Sequence, residues 1–322
     1  IKFKANDPAK LIAVDPLSNR MLLSSDTGKI WTNAPAFSMP PPGAAGFGGG
    51  EISITPARPD DAYIILWRGA PDTAVVVKYN WPANTITQLS TPGLQVGQFG
   101  WYCLGLWVSP ADPNIMCAAG VPSLRSTNGS NFFFDQDILH ADVHGYFFNP
   151  LNNRLYNVND GGIFYSINNG DTWTNITGNM MITEYYRLSG LKTDSKVILA
   201  GSQDNGHHYK TDNSGIFDWK LTCCDGMDNA IEQTNPGIMY GFTQYGQINK
   251  SVDGGASFTW IPPTIMSPNE PWVTPILIHT TTPATIFYGS VNGVLRHASR
   301  GEPTNAWTNI GGFGTGGMIM GT

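Results

Sequence analysis

The chain has 322 residues and a formal net charge of −6; only 13% of residues are charged, while Gly (37) and Pro (23) are abundant. Few charges and many turn formers fit many short strands and exclude a long-helix or coiled-coil class. The negative balance disfavours nucleic acid and anionic lipid as partners, and no apolar run is long enough to span a bilayer.

In chain order, one unit recurs: a short strand ending near Pro or Asp, a turn, and a second apolar strand. The copies are "LIAVDPLSNRMLLS" (11–24), "ISITPARPDDAYIIL" (52–66), "LGLWVSPADPNIMCAA" (104–119), "GYFFNPLNNRLYNV" (145–158), "YRLSGLKTDSKVILAG" (186–201), "AIEQTNPGIMYGF" (230–242) and "PILIHTTTPATIFYG" (275–289). They start roughly every 40 to 55 residues, the period of a four-stranded propeller blade. The reading is all-β: one seven-bladed β-propeller of four-stranded antiparallel blades, at 1–42, 43–97, 98–139, 140–183, 184–226, 227–269 and 270–322.

Two kinds of turn alternate within the units. After the second strand comes a Gly-bearing loop, as in "NDGG" (159–162), "QDNG" (203–206) and "QYGQ" (244–247). After the third comes Ser-x-Asp/Asn followed by Gly and an aromatic residue, as in "STNGSNFF" (126–133), "SINNGDTW" (166–173) and "SVDGGASF" (251–258), with worn versions at 211–219 and 298–307. In this second turn the Asx side chain caps local N–H groups and Gly takes the positive-φ position, which makes it a folding device. "SSDTGKIW" (24–31) fits the pattern letter for letter, but repeat register puts it after a second strand and puts Asp26 with the other loop acids. The outer strand of the first blade is missing from this register. Either "IKFKA" (1–5) or the Gly-rich tail (311–322) is expected to supply it.

These Ser-Asx turns resemble the Asp boxes of BNR/Asp-box propellers, a superfamily that includes sialidases, xyloglucanase-type glycoside hydrolases and the sortilin luminal domain. The stretch from "HADVHGYFFNPLNNRLYNVNDGGIFYSINNGDTWTNIT" through "GSQDNG" to "DGMDNAIEQTNPGIMYGFTQYGQINKSVDGGASF" further resembles propellers of large secreted Bacteroidetes proteins that carry type IX secretion sorting domains. The resemblance implies a secreted or cell-surface module. A chain opening at Ile1, without initiator Met or leader, is likewise expected to be a piece of a longer precursor, whose other modules would be partners.

In a propeller the second-to-third-strand loops and the blade crossovers share one rim, where ligands bind. This reading puts Asp26, Asp160 and Asp204 on the rim loops, and Glu51, Asp142, Glu184, Asp228 and Glu270 at the entries to inner strands. Three readings stay open: Asp as a turn former and cap, a hard cation such as Ca²⁺ held by carboxylates, or an acid/base pair. "HADVH" (140–144), if extended, puts His140, Asp142 and His144 on one side, half of a metal site. Zinc would need a further ligand, with His207-His208 nearest. The alternative is an inner-strand His bonded to a neighbouring carbonyl. Trp101, Tyr102, Tyr185, Tyr186, Tyr245 and Trp272 fall near the same rim, as a sugar platform or as core between blades. Adjacent Cys223 and Cys224 suit a vicinal disulfide or two thiols.

With eight arginines, of which Arg187 and Arg68 are nearest the rim, and no Arg-Ile-Pro motif, a sialidase is disfavoured. A xyloglucanase-like hydrolase would draw its two carboxylates from Asp142 with Asp228 or Asp160 with Asp204, although such enzymes usually build the cleft between two propellers. The preferred expectation is a binding or adhesion module that recognises a glycan, a cation or a protein at an acidic mouth. Its ligand contacts would be Asp142, Asp160, Asp204, Asp228, His144, Glu184, Tyr185, Tyr245 and Trp272. Calcium or zinc would be the only candidate cofactors.

Overall fold

The computed structural model describes residues 1–15, 20–36, 48–69, 72–90, 94–134, 140–178, 180, 182–211, 218–221 and 224–311. They form seven four-stranded antiparallel sheets, spanning 2–33, 48–88, 105–134, 143–175, 185–221, 229–260 and 276–309. Among the described residues the one helical element is a 3-10 turn, Gln244–Gly246, and no helix is long and apolar enough to cross a membrane. The chain divides into two compact units, Ile1–Met180 with four sheets and Met181–Thr322 with three.

Within each sheet the strands lie in chain order. An antiparallel meander of this kind sends the first-to-second and third-to-fourth turns to one end. The second-to-third loop and the link to the next sheet leave from the other. That separation carries over to function, because it keeps the two kinds of turn seen in the sequence apart.

Period-two alternation builds the cores. The second strand of the second sheet, Asp61–Arg68, is buried at every position. Ala62, Ile64 and Leu66 pack with Ile12 and Met21 of the first sheet. Tyr63, Ile65 and Trp67 face the other way, onto Leu106, Val108 and Met116 of the third. A strand covered on both faces reads as a continuous apolar run, each large side chain contributing about 1.5–3 kcal/mol. In the second unit the sixth and seventh sheets share a core around Tyr240, Phe242, Ile286 and Tyr288.

The third-to-fourth turns repeat one hydrogen-bond circuit. In the fourth sheet, Ser166 Oγ donates to Asn168 Oδ1 at 2.7 Å and accepts the Gly170 N–H at 2.9 Å, while Asn168 Oδ1 accepts the Thr172 N–H at 3.0 Å. Ser251 repeats this with Asp253 (2.8 Å) and Gly255 (2.8 Å), and Ser126 with Asn128 (3.2 Å) and Gly129 (3.1 Å). Hydrogen bonds from Ser257 hold the Asp253 carboxyl down at about 2. In the seventh sheet His297 stands in for the serine, its Nδ1 accepting the N–H groups of Ser299 (2.9 Å) and Gly301 (3.1 Å). The worn turn at 211–219 lies mostly outside the described residues.

The first sheet corrects the register reading. Its strands are Lys2–Lys4, Asp7–Asp15, Arg20–Ser24 and Thr32–Asn33. "LIAVDPLSNRMLLS" therefore spans the second and third strands, and "IKFKA" supplies the first strand rather than the missing outer one. The letter match of "SSDTGKIW" was the better guide. Ser24 Oγ donates to Asp26 Oδ1 at 2.8 Å and accepts the Gly28 N–H at 3.0 Å, the same circuit as in the other turns. Asp26 thus belongs with the folding turns, at the end away from Asp160 in its own type of sheet. The tail from 312 lies outside the described residues.

Ser166 and Ser251 are 2% and 1% exposed. Removing either hydroxyl strands a buried N–H, so Ser166→Ala and Ser251→Ala should each lose about 1–3 kcal/mol, read as a lowered urea midpoint with an unchanged slope.

Candidate functional site

In the first unit, four side chains from three segments converge. Cys103 closes a tight turn, its N–H donating to the Phe99 carbonyl at 2.7 Å. Gly100 in that turn lies flat on Trp67, where a Cβ would come within 2.4 Å of the ring. Asp142 and His144 sit at the entry to the fourth sheet, whose first strand is Val143–Asn149. Asp160 comes from the loop between that sheet's second and third strands. His144 Nε2 is 2.5 Å from Asp160 Oδ1, and its Nδ1 is 3.8 Å from Cys103 Sγ. Cys103 Sγ is also 3.9 Å from Asp142 Oδ1. The edge of one of the Tyr102 and His144 rings meets the face of the other, centroids 4.9 Å apart, and Trp101 and Tyr102 are both exposed.

"NDGG" owes both glycines to its neighbours. A Cβ on Gly161 would strike the His140 side chain at 2.5 Å, and Gly162 has φ 130 with Thr177 Oγ1 1.9 Å from its would-be Cβ. The loop is therefore locked, and Asp160 is held with it. Burial, then the nearby Asp160 charge, pushes the Asp142 carboxyl above the usual carboxylate range. The expected His140, Asp142, His144 trio is not formed by alternation. Asp142 has φ 57, a left-handed conformation that Asp tolerates but that breaks the period-two geometry. His140 Nδ1 lies 3.1 Å from the Ala141 carbonyl, and the His140 and His144 charges both act to lower the Asp142 pKa against its burial.

In the second unit, Asp204 and Asp228 are both placed by backbone. Asp204 has φ 57 and donates its N–H to buried Asp225 at 3.0 Å. Asp228 accepts the N–H groups of Asn229 (2.9 Å) and Ile276 (3.0 Å), one on each oxygen, and burial raises its pKa. Glu270 is 3% exposed and accepts from Ser267, Ser290 and Val291. Asp228 and Glu270 therefore tie strand ends together, a role for buried carboxylates that residue type alone does not reveal. Glu51 lies in the strand Gly48–Ile54, loosely paired with Lys2 at 4.0 Å.

Tyr245 and Trp272 form an exposed edge-to-face pair with centroids 5.1 Å apart. Tyr245 has φ 56, and Gly246 follows at φ 75 because a Cβ there would meet Tyr288 Oη at 1.9 Å. A bulky residue held in the left-handed region costs about 1–3 kcal/mol. Trp272 Nε1 donates to Tyr186 Oη at 3.4 Å. The Tyr186 hydroxyl is raised by burial first, then by the charges of Asp225, Asp204 and Glu184. Tyr185, 39% exposed, pairs its hydroxyl with His208 Nδ1 at 2.9 Å.

A groove of about 720 Å³ runs along the first strands of the three sheets of this unit, Tyr185–Leu191, Asn229–Ile231 and Ile276–Ile278. Leu188 and Leu277 supply apolar wall, and Arg187, Lys192 and His279 supply cationic or basic groups against the one acid, Asp228. The wall of this groove is net basic. Arg68 is 2% exposed. Cys224 is exposed at φ 67, while Cys223 lies outside the described residues.

No protein-family model matches the chain, nor does any curated protein. Among solved structures, the GH74 xyloglucanase of Xanthomonas campestris matches with a TM-score of 0.65 at 15% identity, over 98% of this chain and 50% of its own. The GH74 enzyme of Niastella koreensis matches with a TM-score of 0.59 at 17% identity, over 90% and 45%. The chain spans about half the length of these structures. The likeness concerns the fold, and with seven four-stranded sheets that fold is a seven-bladed β-propeller.

His207 and His208, expected as the further zinc ligands, lie within the fifth sheet, His207 wholly buried. Burial drives the His207 pKa down to about 4, opposed by the Asp228 carbonyl beside it. The unfolded chain takes up this proton near the ordinary value of 6.5, so stability should fall as pH drops from 6.5 to 4, by on the order of 3 kcal/mol. Urea unfolding from pH 7 to 4 checks this, with His207→Gln expected to flatten the decline and an unchanged slope placing the titration elsewhere.

Proposed function

We propose that this propeller is an extracellular or cell-surface module that binds a glycan, a BNR/Asp-box propeller acting beside the other modules of a secreted precursor. The observation that carries the reading is the exposed Tyr245–Trp272 pair, with Tyr245 in a left-handed backbone conformation next to Gln244, whose side-chain amide donates to the Asp225 carboxylate. Aromatic faces stack on the apolar faces of sugar rings, and carboxylates accept from sugar hydroxyls; a few convergent polar groups on an apolar wall define such sites. Trp101 and Tyr102 beside Asp160 and His144 offer the same combination in the first unit. The groove of about 720 Å³ is of a size to hold several sugar residues, and the two GH74 neighbours share the fold.

A second reading, a glycoside hydrolase, is favoured by one observation. Carboxylate oxygens of Asp142 and Asp160 lie within 4.8 Å of each other, and burial, then the Asp160 charge, pushes the Asp142 carboxyl up. Carboxyl groups this close are short of the ~6.5–9.5 Å of inverting enzymes. Release of reducing ends from a polysaccharide panel, lost in Asp142→Asn, would establish it in place of simple binding.

Titration of xyloglucan and other β-glucan oligosaccharides by calorimetry tests the binding reading. Trp272→Ala and Tyr245→Gly should each weaken binding at least ~10-fold, about 1.4 kcal/mol. Tyr245→Gly should hold or raise the melting temperature, because Gly adopts φ 56 without strain. No glycan bound, or binding indifferent to both changes, would overturn the reading.

A further inference from the structure

We infer that Cys103, Asp142 and His144 form a site for a divalent transition metal, zinc foremost, with Asp160 as the outer partner that orients the histidine. Cys103 Sγ is 3.8 Å from His144 Nδ1 and 3.9 Å from Asp142 Oδ1. Around tetrahedral zinc, with bonds of ~2.3 Å to sulfur and ~2.0–2.1 Å to nitrogen or oxygen, neighbouring ligands stand ~3.5 Å apart. Both separations are within a few tenths of an ångström of that value.

The histidine is presented the right way round. Its Nε2 faces Asp160 Oδ1 at 2.5 Å, so Nε2 carries the proton and Nδ1 turns its lone pair toward Cys103. A carboxylate on the remote nitrogen of a ligating imidazole is the recurrent outer shell of zinc sites, fixing tautomer and ring direction. The Tyr102 ring, packed at right angles to the imidazole, restrains it further.

The donor set selects the ion. Thiolate and imidazole suit zinc and its neighbours, whereas calcium and magnesium take oxygen ligands. Cys103 is 1% exposed, but the His144 and Asp160 side chains are 29% and 23% exposed, leaving the ion a path in from that side. The loop Asn159–Gly162 and the turn at Phe99–Cys103 are both fixed by close backbone packing, as a preorganised site requires. A cation here also offsets the repulsion of two carboxylates within 4.8 Å. This inference does not rest on the glycan reading. It gives Asp142 a role other than the acid/base duty of the hydrolytic reading.

The test uses the full chain stripped with a chelator and titrated with Co²⁺, Zn²⁺ and Ca²⁺ in turn. Stoichiometric cobalt uptake should produce a thiolate-to-cobalt charge-transfer band, displaced by zinc and untouched by calcium. Cys103→Ser should abolish the band. Asp160→Asn, at a partly exposed position, should lower zinc affinity ~10–100-fold while leaving the metal-free melting temperature unchanged. Should Cys103→Ser fail to fold, His144→Gln takes its place with the same expected loss. Absence of the band in the parent chain, or a band undiminished in these variants, would overturn the assignment.

Discussion

Backbone N–H groups buried at a sharp turn must find acceptors inside the protein, and in this chain that constraint is met four times by one buried serine hydroxyl. Each outer strand that follows is only two residues long, in the first, third, fourth and sixth sheets alike. So short a strand contributes little ladder of its own. The Ser-Asx circuit and the aromatic residue that ends it hold the edge in place; in the first sheet Trp31 Nε1 donates to the Gly28 carbonyl at 2.9 Å. His297 shows that the requirement is for an acceptor rather than for serine.

Because these turns close the sheets at one end, the loops at the other end are released from that task. There the side chains divide again. Asp225, Asp228 and Glu270 spend their oxygens on backbone or amide N–H groups and fix the links between strands. Tyr245, Trp272, Trp101 and Tyr102 keep their rings in solvent. Buried residues that stabilise the loop end and exposed rings thus lie close in sequence, as at Glu270 and Trp272, which lets a loop be rigid and exposed together.

The sheets were legible in the sequence because strand-turn-strand units recur with a regular period, and that period survives wide changes in residue identity. Register was less so. A two-strand apolar unit looks the same whether it is the first and second strand or the second and third, and the first sheet was misread for this reason; the letter pattern around Asp26, tied to a hydrogen-bond circuit, carried the information the period lacked. For the site, alternation through "HADVH" failed at Asp142, whose left-handed backbone redirects the chain. Cys103 was missed altogether. It lies 39 residues from Asp142 and 41 from His144, and no local spacing announces a ligand brought in by a crossover. Tyr245 and Trp272 stand among the aromatic residues that rim position selects, whereas their pairing and the left-handed backbone at Tyr245 needed coordinates.

The division between folding turns and ligand-facing loops is tested most directly by backbone-amide chemical shifts on titration with a soluble β-glucan oligosaccharide. The account predicts saturating shifts at Gln244–Gln247 and at residues 270–273, and none at the turns around Ser24, Ser126, Ser166 and Ser251. Shifts centred on those serine turns, or no saturable shift at either end, would contradict it.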